Sequence, residues 1–165
     1  MSLSLVRIDD RLIHGQVVLM WTKLRPCDAL VLIVDDALYN DKFMKNVFIQ
    51  GGNAVGKKVY IWNVAEATEK IPTCVASNKK YVVIAKNLQV LYELRKNGVD
   101  WGRELIFGTL SKRADTEKMW NNVYCSKEDM KHLDYLMEQG IDITFKLIPE
   151  EGGSNWKDAR KNYQY

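Results

Sequence analysis

The chain has 165 residues, 47% of them hydrophobic and 27% charged, with a formal net charge of +3. This is globular composition at a length that sets one compact domain over residues 1–165, with roughly 68–70% of the unfolded chain's surface buried on folding. It excludes an intrinsically disordered chain, and so small a charge without a long basic run leaves no footprint for nucleic acid.

In chain order, residues 3–8 read as a short buried strand. The apolar and aromatic run 17–24 predicts a helix that starts near Gly15 and stops at Pro26. Residues 29–34, rich in β-branched side chains, form the next strand, ended by Asp35-Asp36. Asn40 or Asp41 suits the N-cap of a helix reaching about Gln50, and Gly51-Gly52-Asn53 reads as a turn. A strand over 58–62 precedes a short helix through 65–70. Strand 81–85 leads to helix 88–96, closed by Asn97-Gly98. A shorter strand at 105–107 is followed by a further short one at 122–124. Ser126 with Asp129 makes a capping box for a helix that runs to Gln139 and ends at Gly140. Residues 141–148 form the last strand, and the polar tail from Glu150 carries Trp156 and two tyrosines that dock or fray.

Strands alternate with helices, and several strands are continuous apolar runs, as in a sheet covered on both faces. The expected fold is α/β with a mainly parallel sheet and right-handed crossovers. No apolar run approaches the roughly 20 residues of a membrane helix, and the N-terminus lacks the marks of a signal peptide, so a cytosolic protein is expected. Cys27, Cys74 and Cys125 are odd in number, far apart and without metal spacing, which makes them buried thiols of a reducing compartment.

Ligands of such sheets bind beyond the carboxyl ends of the strands. The run Val6-Arg7-Ile8-Asp9-Asp10-Arg11-Leu12-Ile13-His14-Gly15-Gln16-Val17 lies there, between the first strand and the first helix. His14 at a helix mouth is a candidate nucleophile through its free ring nitrogen. Gly15 allows close backbone approach, and the N–H groups of Gly15, Gln16 and Val17 favour an anion. Arg11 offers a planar fork for phosphate oxygens, as does Arg7 if its side chain reaches the same end. A carboxylate aimed at phosphate repels it. Asp9 or Asp10 therefore orients Arg11, accepts loop N–H bonds, or holds the second ring nitrogen of His14. These parts suit phosphoryl transfer without a metal or cofactor. From the residues alone, helix capping and surface ion pairing account for the same stretch.

Other groups weigh less. Asp35-Asp36 admits a receiver-like carboxylate cluster that binds a divalent cation, against plain turn and helix capping. His132 lies among Met130, Leu133 and Leu136 and reads as structural. Gly152-Gly153 reads as a turn, and Trp21, near the motif, is open to a core or a partner-facing position.

The run from Arg7 to Val17, followed by Trp21-Thr22-Lys23, closely resembles the opening of the enzyme IIB component of the mannose/fructose/sorbose class of the bacterial sugar phosphotransferase system. Ile33-Val34-Asp35-Asp36 with Asn40-Asp41 adds to the resemblance, whose element order spans about residues 3 to 149. The resemblance implies a three-layer α/β/α domain with about six or seven strands. It implies a protein-phosphohistidine–sugar phosphotransferase. His14 accepts phosphate on Nδ1 from an enzyme IIA phosphohistidine and passes it to a sugar entering through membrane IIC and IID components. Arg11 assists at the phosphate, with Arg7 and Asp9 in the same motif. The protein is then cytoplasmic and associated with the inner membrane face through IIC/IID. Many members carry a Gly-Gly-Met-like turn after the strand matching 105–107. This chain reads Phe107-Gly108-Thr109-Leu110, where Thr109 or Ser111 is a candidate donor to phosphate. The sugar and any homo-oligomer are left open.

Overall fold

The computed structural model describes residues 2–165. β1 (Leu3–Asp9) leads into α1 (Gly15–Leu24), β2 (Ala29–Ile33) into α2 (Asp36–Tyr39) and α3 (Lys42–Ala54), and β3 (Lys58–Trp62) into α4 (Val64–Ala76). β4 (Tyr81–Ala85) and α5 (Leu88–Lys96) follow. Next come β5 (Glu104–Thr109), β6 (Glu117–Trp120), β7 (Val123–Cys125), α6 (Lys127–Glu138) and β8 (Asp142–Phe145). The last elements are β9 (Ser154–Asn155), α7 (Trp156–Ala159) and a 3-10 turn (Arg160–Asn162).

Seven strands form one sheet in the order β3-β2-β4-β1-β5-β8-β9. All neighbours pair in parallel except β9, which runs antiparallel to β8. Period-two alternation sends successive strand residues to opposite faces. On one face Leu5, Leu30, Leu32, Val82 and Ile84 pack with Val17, Val18 and Trp21 of α1 and Leu38 of α2. On the other, Val6, Ile8, Val31, Ile33 and Val83 pack with Ile71 of α4, Leu91 of α5 and Leu133 of α6. Two apolar layers around one sheet make the three-layer α/β/α fold.

Local signals hold where they agree with packing. Asn87 caps α5 through the Val90 N–H, and Gly98 closes it with φ 83°. The Ser126–Asp129 capping box is formed in both directions at the start of α6. The tail docks, with Trp156 fully buried and its indole N–H donating to Asp134 at 2.8 Å.

Four expectations need correction. Gly51-Gly52-Asn53 is not a turn but lies inside α3. A Cβ on Gly52 would lie 2.0 Å from Val59 Cγ2 and 2.9 Å from the Lys57 carbonyl, so the glycine serves close helix–strand contact. α4 continues past residue 70 and through Pro72, because Ile71 and Cys74 beside it are buried in the core. Residues 117–125 form a two-stranded hairpin, β6 with β7, of which only the second strand was foreseen. The strand expected over 141–148 is β8, which stops at Phe145, and β9 follows it. Beyond Phe145 the Lys146 and Leu147 carbonyls accept from Arg7 and Trp21 side chains instead of a neighbouring strand.

Candidate functional site

From β1 the chain turns toward β2, and from β5 it turns toward β8 on the opposite side of the sheet. The crevice between the carboxyl ends of β1 and β5 is therefore a topological switch point. Arg7 pairs with Ile106 and Ile8 with Phe107, but Asp9 pairs with Thr109, so Gly108 is an extra residue in β5. Such a bulge re-aims a strand end. Here it makes room for Arg7: a Cβ on Gly108 would lie 2.0 Å from Arg7 Nη2.

Arg7, Asp9 and Arg11 form one network. Arg7 is buried, at 2% exposure, beneath the crevice. Its Nη2 donates to Asp9 Oδ2 at 3.2 Å and its Nη1 to the Lys146 carbonyl at 3.0 Å. Its guanidinium carbon stands 5.3 Å from the Trp21 ring centroid. Burial lowers the Arg7 pKa, and the charge and hydrogen bond of Asp9 oppose that fall. Asp9, 1% exposed, spends its other oxygen on Arg11. Oδ1 accepts from the Arg11 backbone N–H at 3.1 Å and from Nε at 3.4 Å. Arg11 Nη2 then donates to Thr109 Oγ1 at 3.1 Å across the crevice. The carboxylate is thus turned under the loop, while the Arg11 side chain keeps 38% of its surface in solvent.

The loop itself makes a tight turn. Leu12 N–H donates to the Asp9 carbonyl at 2.9 Å, and Leu12 adopts φ 57°. A left-handed leucine is strained by roughly 1–2 kcal/mol. Burial of its side chain offsets this, since Leu12 is 1% exposed. The turn lifts His14 to the surface as the N-cap of α1, and no side chain caps the helix. The first N–H groups of α1 therefore stand beside an exposed imidazole. Nothing lies within 4 Å of a Cβ built on Gly15, so the space in front of this helix mouth is open.

The remaining predicted residues divide. Asp10 Oδ2 accepts from the Ser111 N–H at 2.7 Å, and the Asp10 N–H donates to the Thr109 carbonyl at 3.1 Å. Asp10 and Ser111 thus bind each other, and Asp10 Oδ1 is buried without a partner among the described residues. Gln16 is exposed on α1. Neither aspartate bonds the His14 ring. Trp21 is not partner-facing: it is buried and donates to the Leu147 carbonyl at 2.8 Å. Asp35 caps α2 and pairs with Lys86 at 3.1 Å, while Asp36 accepts from Asn63 at 2.9 Å. Among the described residues no three His, Cys, Asp or Glu side chains gather as metal ligands. No described helix is long and apolar enough to cross a membrane.

Sequence reasoning missed Gly108, Trp21 and Lys146 as parts of this site. Glycine inside a strand signals a bulge or close backbone approach, and that signal was available at Gly108.

The family model for the sorbose subfamily IIB component of the PTS system matches residues 3–164. The chain is 27% identical over 155 residues to the PTS sorbose-specific EIIB component of Lacticaseibacillus casei, covering 94% of this chain and 93% of that one. It is 24% identical over 148 residues to N-acetylgalactosamine-specific phosphotransferase enzyme IIB component 1 of Escherichia coli (strain K12), covering 90% and 92%. The IIBSor domain of the sorbose permease from Klebsiella pneumoniae shares the fold with a TM-score of 0.89 at 22% identity, covering 100% and 99%. With a match that spans both β1 and β5 and the crevice between them, this chain belongs to the sorbose-class IIB components of the phosphotransferase system, a family of phosphotransfer subunits.

Proposed function

We propose that His14 carries the phosphoryl group in this subunit. The observation that carries the reading is an exposed imidazole at the uncapped mouth of α1, on the same short loop as an arginine held by Asp9 and Thr109. A ring nitrogen of His14 attacks the phosphorus of a phosphohistidine on the enzyme IIA partner. The new N–P bond forms as the donor's N–P bond breaks, and that electron pair returns to the donor ring. Arg11 and the N–H groups of Gly15 and Gln16 take up the phosphoryl charge. A sugar hydroxyl then accepts the group at the membrane IIC and IID components. The subunit works at the cytoplasmic face through those partners.

Arg7 and Asp9 act from below. Asp9 fixes the Arg11 backbone and side chain, and Arg7 holds the other Asp9 oxygen by donating to it. Asp10 holds the Ser111 segment against the loop, and Thr109 holds the Arg11 fork.

The test is intact mass after incubation with phosphoenolpyruvate, enzyme I, the histidine carrier protein and the cognate IIA. One acid-labile phosphate on the wild type, absent from His14→Ala, is expected. A His14→Ala protein that labels like the wild type overturns the assignment.

A further inference from the structure

Lys146 and Leu147 follow β8 directly, and their carbonyls serve two side chains that touch each other. The Lys146 carbonyl accepts from Arg7 Nη1 at 3.0 Å and the Leu147 carbonyl from Trp21 Nε1 at 2.8 Å, while the Arg7 guanidinium stands over the Trp21 ring. Successive carbonyls of an extended strand point to opposite sides. The chain therefore has to bend here for both to reach one place.

Glu151 holds that bend. Pro149 takes the second position of a turn that the Glu151 N–H closes on the Ile148 carbonyl at 3.2 Å. The Glu151 side chain then folds back over the turn. Its Oε2 accepts from the Leu147 N–H at 2.6 Å, a short charge-assisted bond. Its Oε1 accepts from Asn121 Nδ2 at 3.3 Å. Asn121 is at the tip of the β6–β7 hairpin, and the next carbonyl, that of Asn122, accepts from the Leu110 N–H at 2.9 Å. Leu110 follows Thr109, so the bonds close a ring. It runs from Thr109 through Arg11, Asp9 and Arg7 to Lys146-Leu147, and through Glu151 and Asn121 back to the end of β5. Among the described residues Glu151 bonds neither His14 nor Arg11.

We infer that Glu151 is a positioning residue for phosphoryl transfer. It fixes the Lys146-Leu147 bend, the bend fixes Arg7 and Trp21, and Arg7 with Asp9 sets where the Arg11 fork meets the phosphate. The inference deepens the reading of His14 as the phosphoryl carrier and rests on it. Rate falls steeply when such a fork is displaced, by up to about a hundredfold for roughly 1 Å. A carboxylate remote from the reacting atoms thus bears on the rate through the backbone it holds.

The test is transfer from phosphorylated cognate IIA to Glu151→Ala and Glu151→Gln, each alone and on an Arg11→Ala background, with thermal melts alongside. Glu151→Ala should lower the single-turnover rate at saturating donor about tenfold and leave the donor KM unchanged. Glu151→Gln, whose amide oxygen still accepts from the Leu147 N–H, should regain most of the rate. On the Arg11→Ala background neither variant should slow transfer further, because no fork is left to position. An unchanged rate in Glu151→Ala, the same fold loss on both backgrounds, or a Gln variant as slow as Ala overturns the positioning role and leaves the reading of His14 standing. Where Glu151→Ala is unfolded at the assay temperature, Trp21→Phe takes its place, since it keeps an aromatic ring beside Arg7 and removes the donor to the Leu147 carbonyl. It should slow transfer with Arg11 present and not without it, and equal losses overturn the role in the same way. A wild type that takes no phosphate from any cognate donor overturns both readings.

Discussion

Arg11 Nη2 donates to Thr109 Oγ1 at 3.1 Å, and this bond ties the loop after β1 to the end of β5. The hydroxyl occupies one corner of the guanidinium and leaves the other face of the fork to solvent. Thr109→Val keeps the shape and removes the acceptor. Transfer to His14 should slow by roughly 3- to 10-fold, the range for a partly exposed hydrogen bond to a charged group. Thr109→Ser should restore most of the rate, measured by rapid quench with phosphorylated IIA. A Val variant as fast as the wild type removes Thr109 from the machinery.

Substitution of Arg11 and of Asp9 should have opposite weight on stability. Arg11→Ala removes a partly exposed ion-pair partner and should change unfolding stability by less than about 1 kcal/mol, while transfer slows sharply. Asp9→Ala leaves the buried Arg7 cation without its carboxylate and should destabilise the fold by about 3–5 kcal/mol. Urea unfolding of both variants reads the contrast. Equal stability losses would show that the buried Arg7–Asp9 pair adds nothing to the fold beyond the Arg11 contact.

Gly108→Ala is a sharper probe of the bulge. Arg7 is held by Asp9, the Lys146 carbonyl and the Trp21 ring, so its guanidinium has no free direction in which to yield. Overpacking there should cost about 1–3 kcal/mol. Thermal melts of Gly108→Ala beside Gly15→Ala make the comparison, because the Cβ position at Gly15 is open. Gly15→Ala should melt like the wild type and lose activity instead.

His132 predicts a pH effect far from the crevice. Its ring stacks on Tyr92 with centroids 4.2 Å apart, and Nδ1 is buried without a partner. Burial lowers its pKa, against the weaker pull of Glu128, Asp129 and Glu93. The unfolded chain then binds a proton before the folded one does. Stability is full above the unfolded value of about 6.5 and falls as pH drops from there through the lowered folded value. His132→Phe keeps the stack and removes the titration. Its melting temperature should depend less on pH between neutral and mildly acidic buffer. An unchanged pH slope would assign the effect to other groups.

The part of this protein that was legible in one dimension is the part made by neighbours along the chain. α5 ends where its Asn97-Gly98 stop put it and α6 begins at its Ser126–Asp129 capping box, since capping and stop signals act within a few residues. The crowding of Arg7, Asp9, Asp10, Arg11 and His14 was visible for the same reason, and so was its place at a strand's carboxyl end. Their division of labour was not. Arg7 is a buried strut because β5 and Lys146 close over it, and Thr109 meets Arg11 across 98 positions of chain. Which strand borders β1 depends on crossover connections and on the burial of two faces at once, which no local pattern encodes. Gly51-Gly52 makes the same point in reverse. Glycine pairs favour turns locally, yet α3 runs through them because close contact with β3 leaves no room for a side chain at Gly52.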